Sequence, residues 1–224
     1  MSLLDNYDLF IFDWDCTLSS STAPVNFIHL LKKDFKFRYA RSHPERYRGN
    51  VDLRTVEIEE EGSPIISAMY SFYTFFFRPK LKPAAIEALR SLKARRKKIA
   101  IFSDSLVNRL FRETRAAKAD GYVDAIISAE AIKHYKPDPT GILLAMDRLH
   151  VNKKRTLYLG DTASDILTAR FAGVDSCGVA DGLDTYENLK GAGATYVVRD
   201  LGEFIGLLKK SPGRRPRHTN IYKR

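Results

Sequence analysis

Asp13 and Asp15 close an apolar run, Leu9-Phe10-Ile11-Phe12-Asp13-Trp14-Asp15-Cys16-Thr17-Leu18. Four consecutive apolar residues flanked by acids predict a strand buried on both faces. A carboxylate ending such a strand must emerge into a cleft, because an unpaired buried charge is costly. Two carboxylates two residues apart suit a cation site and acid–base chemistry together. Alone, the run also fits a strand followed by a turn with two solvated acids. Three further groups are candidates: Ser103-Asp104, Lys136-Pro137-Asp138-Pro139, and Gly160-Asp161-Thr162-Ala163-Ser164-Asp165. Each has a plainer reading. Lys136 could be a solvated lysine before a turn, Ser103 a turn residue, Asp161 a helix N-cap, and Asp165 an acid favourable to a helix dipole.

The elements around these residues decide between the readings. After residue 83 the pattern alternates. Pro83 opens a helical stretch with Ile86, Leu89 and Leu92 on one face, and Lys98–Phe102 predicts a strand ending at Ser103-Asp104. A helix over about Leu106–Ala119, a short strand at Ala125–Ile127 and a helix over Thr140–His150 follow. Thr156–Leu159 predicts a strand ending at Gly160-Asp161, and Ala163–Ala172 a helix stopped by Gly173. Weaker strands at Ser176–Val179 and Thr195–Val198 and a last helix over Gly202–Lys210 complete the pattern. Alternation of this kind predicts an α/β fold, a Rossmann-like doubly wound parallel sheet. In such sheets ligands bind beyond the carboxyl ends of the strands. Asp13, Ser103 and Asp161 should therefore share one crevice.

Residues 19–82 break the alternation. They predict helices near Val25–Phe35 and Ser63–Phe77 with a basic stretch from Arg38 to Arg54 between them. Placed after the first strand, this block predicts a mainly helical cap over the crevice. Residues 1–18 and 83–210 form the core, and 211–224 a basic tail. Met69, Tyr70, Phe72, Tyr73 and Phe75–Phe77 predict the cap's own core, or else a pocket lining. Arg38, Arg41, Arg46 and Arg48 fit a solvated loop, or a site for a second acidic group on the substrate.

The chain has 224 residues and a formal net charge of +10. Seven of its basic residues lie between Lys209 and Arg224, without an acid among them, and the rest of the chain carries only +3. The charge is largely that of a tail, which argues against a nucleic-acid partner. No apolar stretch is long enough to span a membrane. Two cysteines and no basic leader point to a reducing, cytoplasmic setting. Glutamine is absent while Lys, Arg and Glu are plentiful, a weak pointer to a thermophilic source.

In order and spacing the four groups resemble the haloacid dehalogenase superfamily, over Tyr7–Leu18 and from Pro83 to about Leu208. The segments Ala192–Val198 and Asp200–Leu208 look like its phosphoglycolate-phosphatase branch. The resemblance implies a magnesium-dependent phosphatase acting on a small phosphomonoester, as monomer or homodimer. It makes Asp13 the nucleophile that forms an aspartyl-phosphate. The Asp15 side chain becomes the acid and then the base, and its backbone carbonyl a metal ligand. Asp161 completes the metal set, with Asp165 acting through water or by holding Lys136. Lys136, Ser103 and the backbone N–H of Asp104 would hold the phosphoryl group. The physical need agrees: a carboxylate can attack a phosphate dianion only if their repulsion is offset, as Mg²⁺ would do. A superfamily dehalogenase lacks the second aspartate and its ion pumps carry threonine there, so Asp15 selects phosphatase chemistry. A phosphosugar mutase is the nearest alternative, and a non-catalytic nucleic-acid-binding protein using the tail stands further off. Two residues depart from the family pattern: Cys16 replaces the usual Gly, and Asp104 the usual Asn. None of the five histidines pairs at metal spacing, although His134 lies close to Lys136 in sequence.

Overall fold

The computed structural model describes residues 3–20 and 80–209. Expectations about the cap interior, its arginines and aromatic cluster, and the basic tail concern residues outside that set. The described strands are β1 (Leu9–Phe12), β2 (Ser19–Ser20), β3 (Lys80–Leu81), β4 (Lys98–Ser103), β5 (Ala125–Ser128), β6 (Thr156–Gly160), β7 (Asp175–Val179) and β8 (Tyr196–Val198). The α-helices are α1 (Leu3–Asn6), α2 (Ala85–Lys93), α3 (Val107–Ala116), α4 (Ala129–Ile132), α5 (Thr140–Arg148), α6 (Ala163–Ala172), α7 (Tyr186–Gly191) and α8 (Leu201–Lys209).

Six strands form one sheet in the order β5-β4-β1-β6-β7-β8, and every pairing in it is parallel. The chain winds outward from β1 through β4 to β5, then returns to β6 on the other side of β1 and winds outward again. The reversal lies at β1, where a doubly wound sheet opens a crevice at its carboxyl ends. The α/β expectation therefore holds, with the switch point directly beneath Asp13.

The all-apolar character of β1 follows from burial on both faces. Phe10 and Phe12 point into one core layer with Leu89 and Leu92 of α2 and Phe204 and Leu208 of α8. Leu9 and Ile11 point into the other, with Ile142 and Ala145 of α5 and Ala169 and Ala172 of α6. The Phe204 ring stands edge-on to Phe10 and Phe12, with centroids 6.2 Å away in each case. Such burial is the main stabilising contribution, roughly 1.5–3 kcal/mol for each large apolar side chain.

Element ends differ from the sequence reading where local backbone chemistry intervenes. Helix α3 stops at Ala116 rather than Ala119, ahead of Lys118, which adopts a left-handed φ of 55°. Helix α5 stops at Arg148, before His150 with φ 50°. Helix α6 matches its predicted limits, capped by Gly173 at φ 74°. Strands β2 and β3 pair antiparallel, Ser19 with Leu81 and Ser20 with Lys80, so the chain leaves and re-enters the core side by side. Lys82 reinforces that junction: its N–H donates to the Leu18 carbonyl, and its ammonium reaches Asp181 Oδ1 at 2.5 Å. No described helix is long and apolar enough to cross a membrane.

Candidate active site

Asp13 follows β1 directly, and its N–H donates to the Leu159 carbonyl of β6 at 2.8 Å. The ladder therefore continues to the last residue before the crevice and fixes the Asp13 backbone. Asp161 stands one residue past β6. Thr162 then caps α6, accepting from the Asp165 N–H, while the Asp165 carboxylate accepts from the Thr162 N–H at 3.0 Å. This reciprocal capping box is why Asp165 follows Thr162 by three residues. It also turns Asp165 inward from the first turn of α6.

Asp13, Asp161 and Asp165 are all buried and offer carboxylate oxygens within 4.8 Å of one another. Lys136, itself buried, donates to Asp13 Oδ1 at 2.5 Å and to Asp165 Oδ1 at 2.7 Å. Its ammonium also lies 5.4 Å and 5.5 Å from the ring centroids of Phe102 and Tyr158. Burial alone would lower its pKa, but the carboxylates of Asp13, Asp165 and Asp104 outweigh that and hold it above the ordinary lysine value. Tyr158 donates to Asp165 Oδ1 at 3.0 Å, and burial together with that carboxylate keeps the phenol protonated.

The Thr17 hydroxyl lies 2.9 Å from Asp161 Oδ1 and 3.4 Å from Asp13 Oδ2. The Leu183 N–H donates to Asp161 Oδ2 at 2.8 Å. Gly182 allows that approach, since a Cβ there would come within 2.3 Å of the Asp161 Cβ and Oδ2 atoms. Lys82 holds the same loop through Asp181.

These residues fit a divalent cation. Asp13 and Asp161 turn oxygens toward one hydroxyl, and hard oxygen donors are what Mg²⁺ prefers. Both oxygens of Asp165 are engaged by Lys136, Tyr158 and Thr162, which suits an orienting part. Among the described residues, three buried carboxylates converge and Lys136 is the cation that reaches them. Buried carboxylate oxygens gathered this closely are the hard donors a divalent cation takes.

The remaining candidates are placed as follows. Ser103 is buried, and its hydroxyl accepts from the Ser105 N–H at 3.2 Å. Asp104 accepts from the backbone N–H of Lys136 at 3.1 Å, so its carboxylate braces the lysine loop. Cys16 adopts φ 60°, the left-handed conformation in which glycine is the relaxed choice. His134 pairs with Asp138 and Thr140 rather than with the carboxylates. The Asp15 side chain does not join the Asp13 group. It turns to Ser105 and Arg109 at the start of α3.

Thr17, Tyr158, Thr162, Ser105, Arg109 and Glu113 are partners that the sequence reading missed. The four-residue spacing of Arg109 and Glu113 on α3 was the available signal for two of them.

The model of the haloacid dehalogenase-like hydrolases matches residues 10–179. The chain belongs to that family. A protein named probable phosphatase IndB from Dickeya dadantii is 32% identical over 124 residues, a match spanning 55% of this chain and 54% of that protein. The phosphorylated carbohydrates phosphatase of Thermotoga maritima is 26% identical across 89% of this chain and 97% of its own. A crystal structure from Bacteroides fragilis, described as haloacid dehalogenase-like, superposes with a TM-score of 0.61 at 29% identity, covering 88% of this chain and 99% of that one. The chain is thus a hydrolase that groups with the family's phosphatases.

Proposed function

We propose that this hydrolase is a magnesium-dependent phosphatase that cleaves a small phosphomonoester through an aspartyl-phosphate on Asp13. The observation that carries the reading is the convergence of three buried carboxylates and Lys136 at the sheet's switch point. Asp13, Asp161 and the Asp15 carbonyl would hold the ion, with Asp165 fixing Lys136. Bound there, Mg²⁺ supplies the positive charge that lets an anionic nucleophile approach an anionic ester.

This chain's own residues do the rest. Lys136 orients Asp13 Oδ1 and neutralises part of the phosphate charge. Asp13 attacks phosphorus, and Asp15 delivers a proton to the departing oxygen. Ser103 and the Asp104 N–H cradle the phosphoryl group in transfer. Asp15 then takes a proton from the attacking water, and Asp13 is released with inorganic phosphate. The cap expected over residues 19–82, to which we assign selection of the ester, lies outside the described residues apart from its ends at β2 and β3. The Thermotoga maritima relative, a phosphorylated carbohydrates phosphatase by name, favours a phosphorylated sugar. Cys16 and Cys177, both thiols, suit a reducing cytoplasm.

Phosphate release from p-nitrophenyl phosphate tests the reading. It should require Mg²⁺, stop with chelator, and fall to background in Asp13→Asn. Full activity of Asp13→Asn would overturn the mechanism. Slow hydrolysis that rises only with an added sugar bisphosphate would identify a mutase instead.

A further inference from the structure

Helix α3 meets the turn after β1 along a polar stripe. Ser105 precedes the helix, and Arg109 and Glu113 lie four residues apart on one of its faces. Glu113 is buried and accepts from Arg109 Nε at 2.6 Å and from Trp14 Nε1 at 2.6 Å. The helix thereby grips both residues after Asp13: Trp14 through Glu113, and Asp15 through Arg109. Burial works against the Arg109 charge, but Asp15 and Glu113 outweigh it and keep the guanidinium protonated.

The hold on Asp15 is asymmetric. Arg109 donates through Nη2 to Oδ1 at 2.5 Å and, at a longer 3.3 Å, through Nη1 to Oδ2. Ser105 donates to Oδ2 at 2.5 Å and accepts from Arg109 Nη1 at 2.8 Å.

We propose that Arg109 and Ser105 are the positioning residues of Asp15: Arg109 holds Oδ1 and Ser105 holds Oδ2, so that the carboxyl group meets the leaving oxygen in one orientation. The proposal rests on the phosphatase reading above. Held at both oxygens, the carboxyl group has one orientation.

The steps balance. In ester cleavage a carboxylate oxygen of Asp13 forms the new O–P bond, and the ester O–P bond breaks. The departing oxygen takes the electron pair and the proton from the Asp15 carboxyl group. In hydrolysis water's oxygen bonds phosphorus, one of its protons passes to Asp15, and the Asp13–phosphorus bond breaks. Asp15 ends protonated, as it began.

A series of substituted phenyl phosphates tests this, with kcat/KM measured in Mg²⁺ from p-nitrophenyl to unsubstituted phenyl. A good leaving group needs little help from an acid, and a poor one needs it fully. In Ser105→Ala and Arg109→Lys the kcat/KM ratio of p-nitrophenyl to phenyl phosphate should rise about tenfold over wild type, a part of the ~10²–10⁴ that a placed acid contributes. Lysine keeps the charge but cannot fork onto Asp15 and Glu113 together. If both variants lower all esters equally, the residues are merely structural and the proposal fails. A gain of activity on phenyl phosphate would also overturn it, by showing that the pair holds Asp15 away. Wild-type protein inactive on every ester would instead refute the phosphatase reading itself. Ser105→Ala removes one hydroxyl from a half-buried site, so it keeps the test decisive should Arg109→Lys not fold.

Discussion

Replacing Lys136 by methionine tests the electrostatic frame of the site. Methionine has a similar apolar length, so packing against Phe102 and Tyr158 is largely retained while the ammonium is lost. In the wild type that ammonium bonds two carboxylates whose side chains are 2% and 0% exposed. Asp165 would keep the Tyr158 hydroxyl and the N–H and hydroxyl of Thr162. The cost falls chiefly on Asp13, whose Oδ1 loses its charged donor. Breaking a buried pair from one side costs about 3–5 kcal/mol. Against a total stability of about 5–15 kcal/mol, that is a large fraction. Chemical denaturation followed by circular dichroism, in chelator, should show this loss. Added Mg²⁺ should then stabilise the variant more than the wild type, because the ion takes over charge that Lys136 balances in the wild type. A loss below about 1 kcal/mol in chelator would refute the reasoning, since the carboxylates would then not be the buried, charged groups on which the account depends.

Two further substitutions probe neighbouring features. Gly182→Ala places a methyl within 2.3 Å of Asp161 and should displace its carboxylate from the Leu183 N–H; the Mg²⁺ concentration for half-maximal phosphate release should rise by about 10–100-fold with folding intact. Cys16→Gly relieves a left-handed residue at about 1–2 kcal/mol but adds about 0.5–1 kcal/mol of unfolded-chain entropy. Denaturant titration should therefore show a net gain of roughly 0.5–1 kcal/mol, and a loss would mean that the thiol packs usefully.

Asp13 and Asp161 were legible because each ends an apolar run that the parallel topology carries to one edge, and the strand-end rule needs no side-chain detail. Lys136 was not placed by periodicity. It lies on a loop between α4 and α5, and only the family resemblance brought it to the site. The N-cap of α6 is Thr162 rather than Asp161, although Thr162 and Asp165 carry capping-box spacing in the sequence. Helix α7 escaped because it is six residues long with one buried side chain, Leu189, too little for a periodic signal. Strands β2 and β3 have two residues each and leave no pattern at all. The direction taken by Asp15 was likewise unreadable. Spacing gives the position of its backbone, while its side chain follows partners 90 and 94 residues away in sequence.

The central claim is that Asp13 carries the phosphoryl group. Enzyme turning over a phosphomonoester in Mg²⁺, quenched in acid and digested, can be mapped by peptide mass. The account predicts a phosphoryl adduct on the peptide containing Asp13, localised to that residue and absent from Asp13→Asn. A phosphoryl group on another side chain, or continued turnover by Asp13→Asn with no adduct, would contradict it.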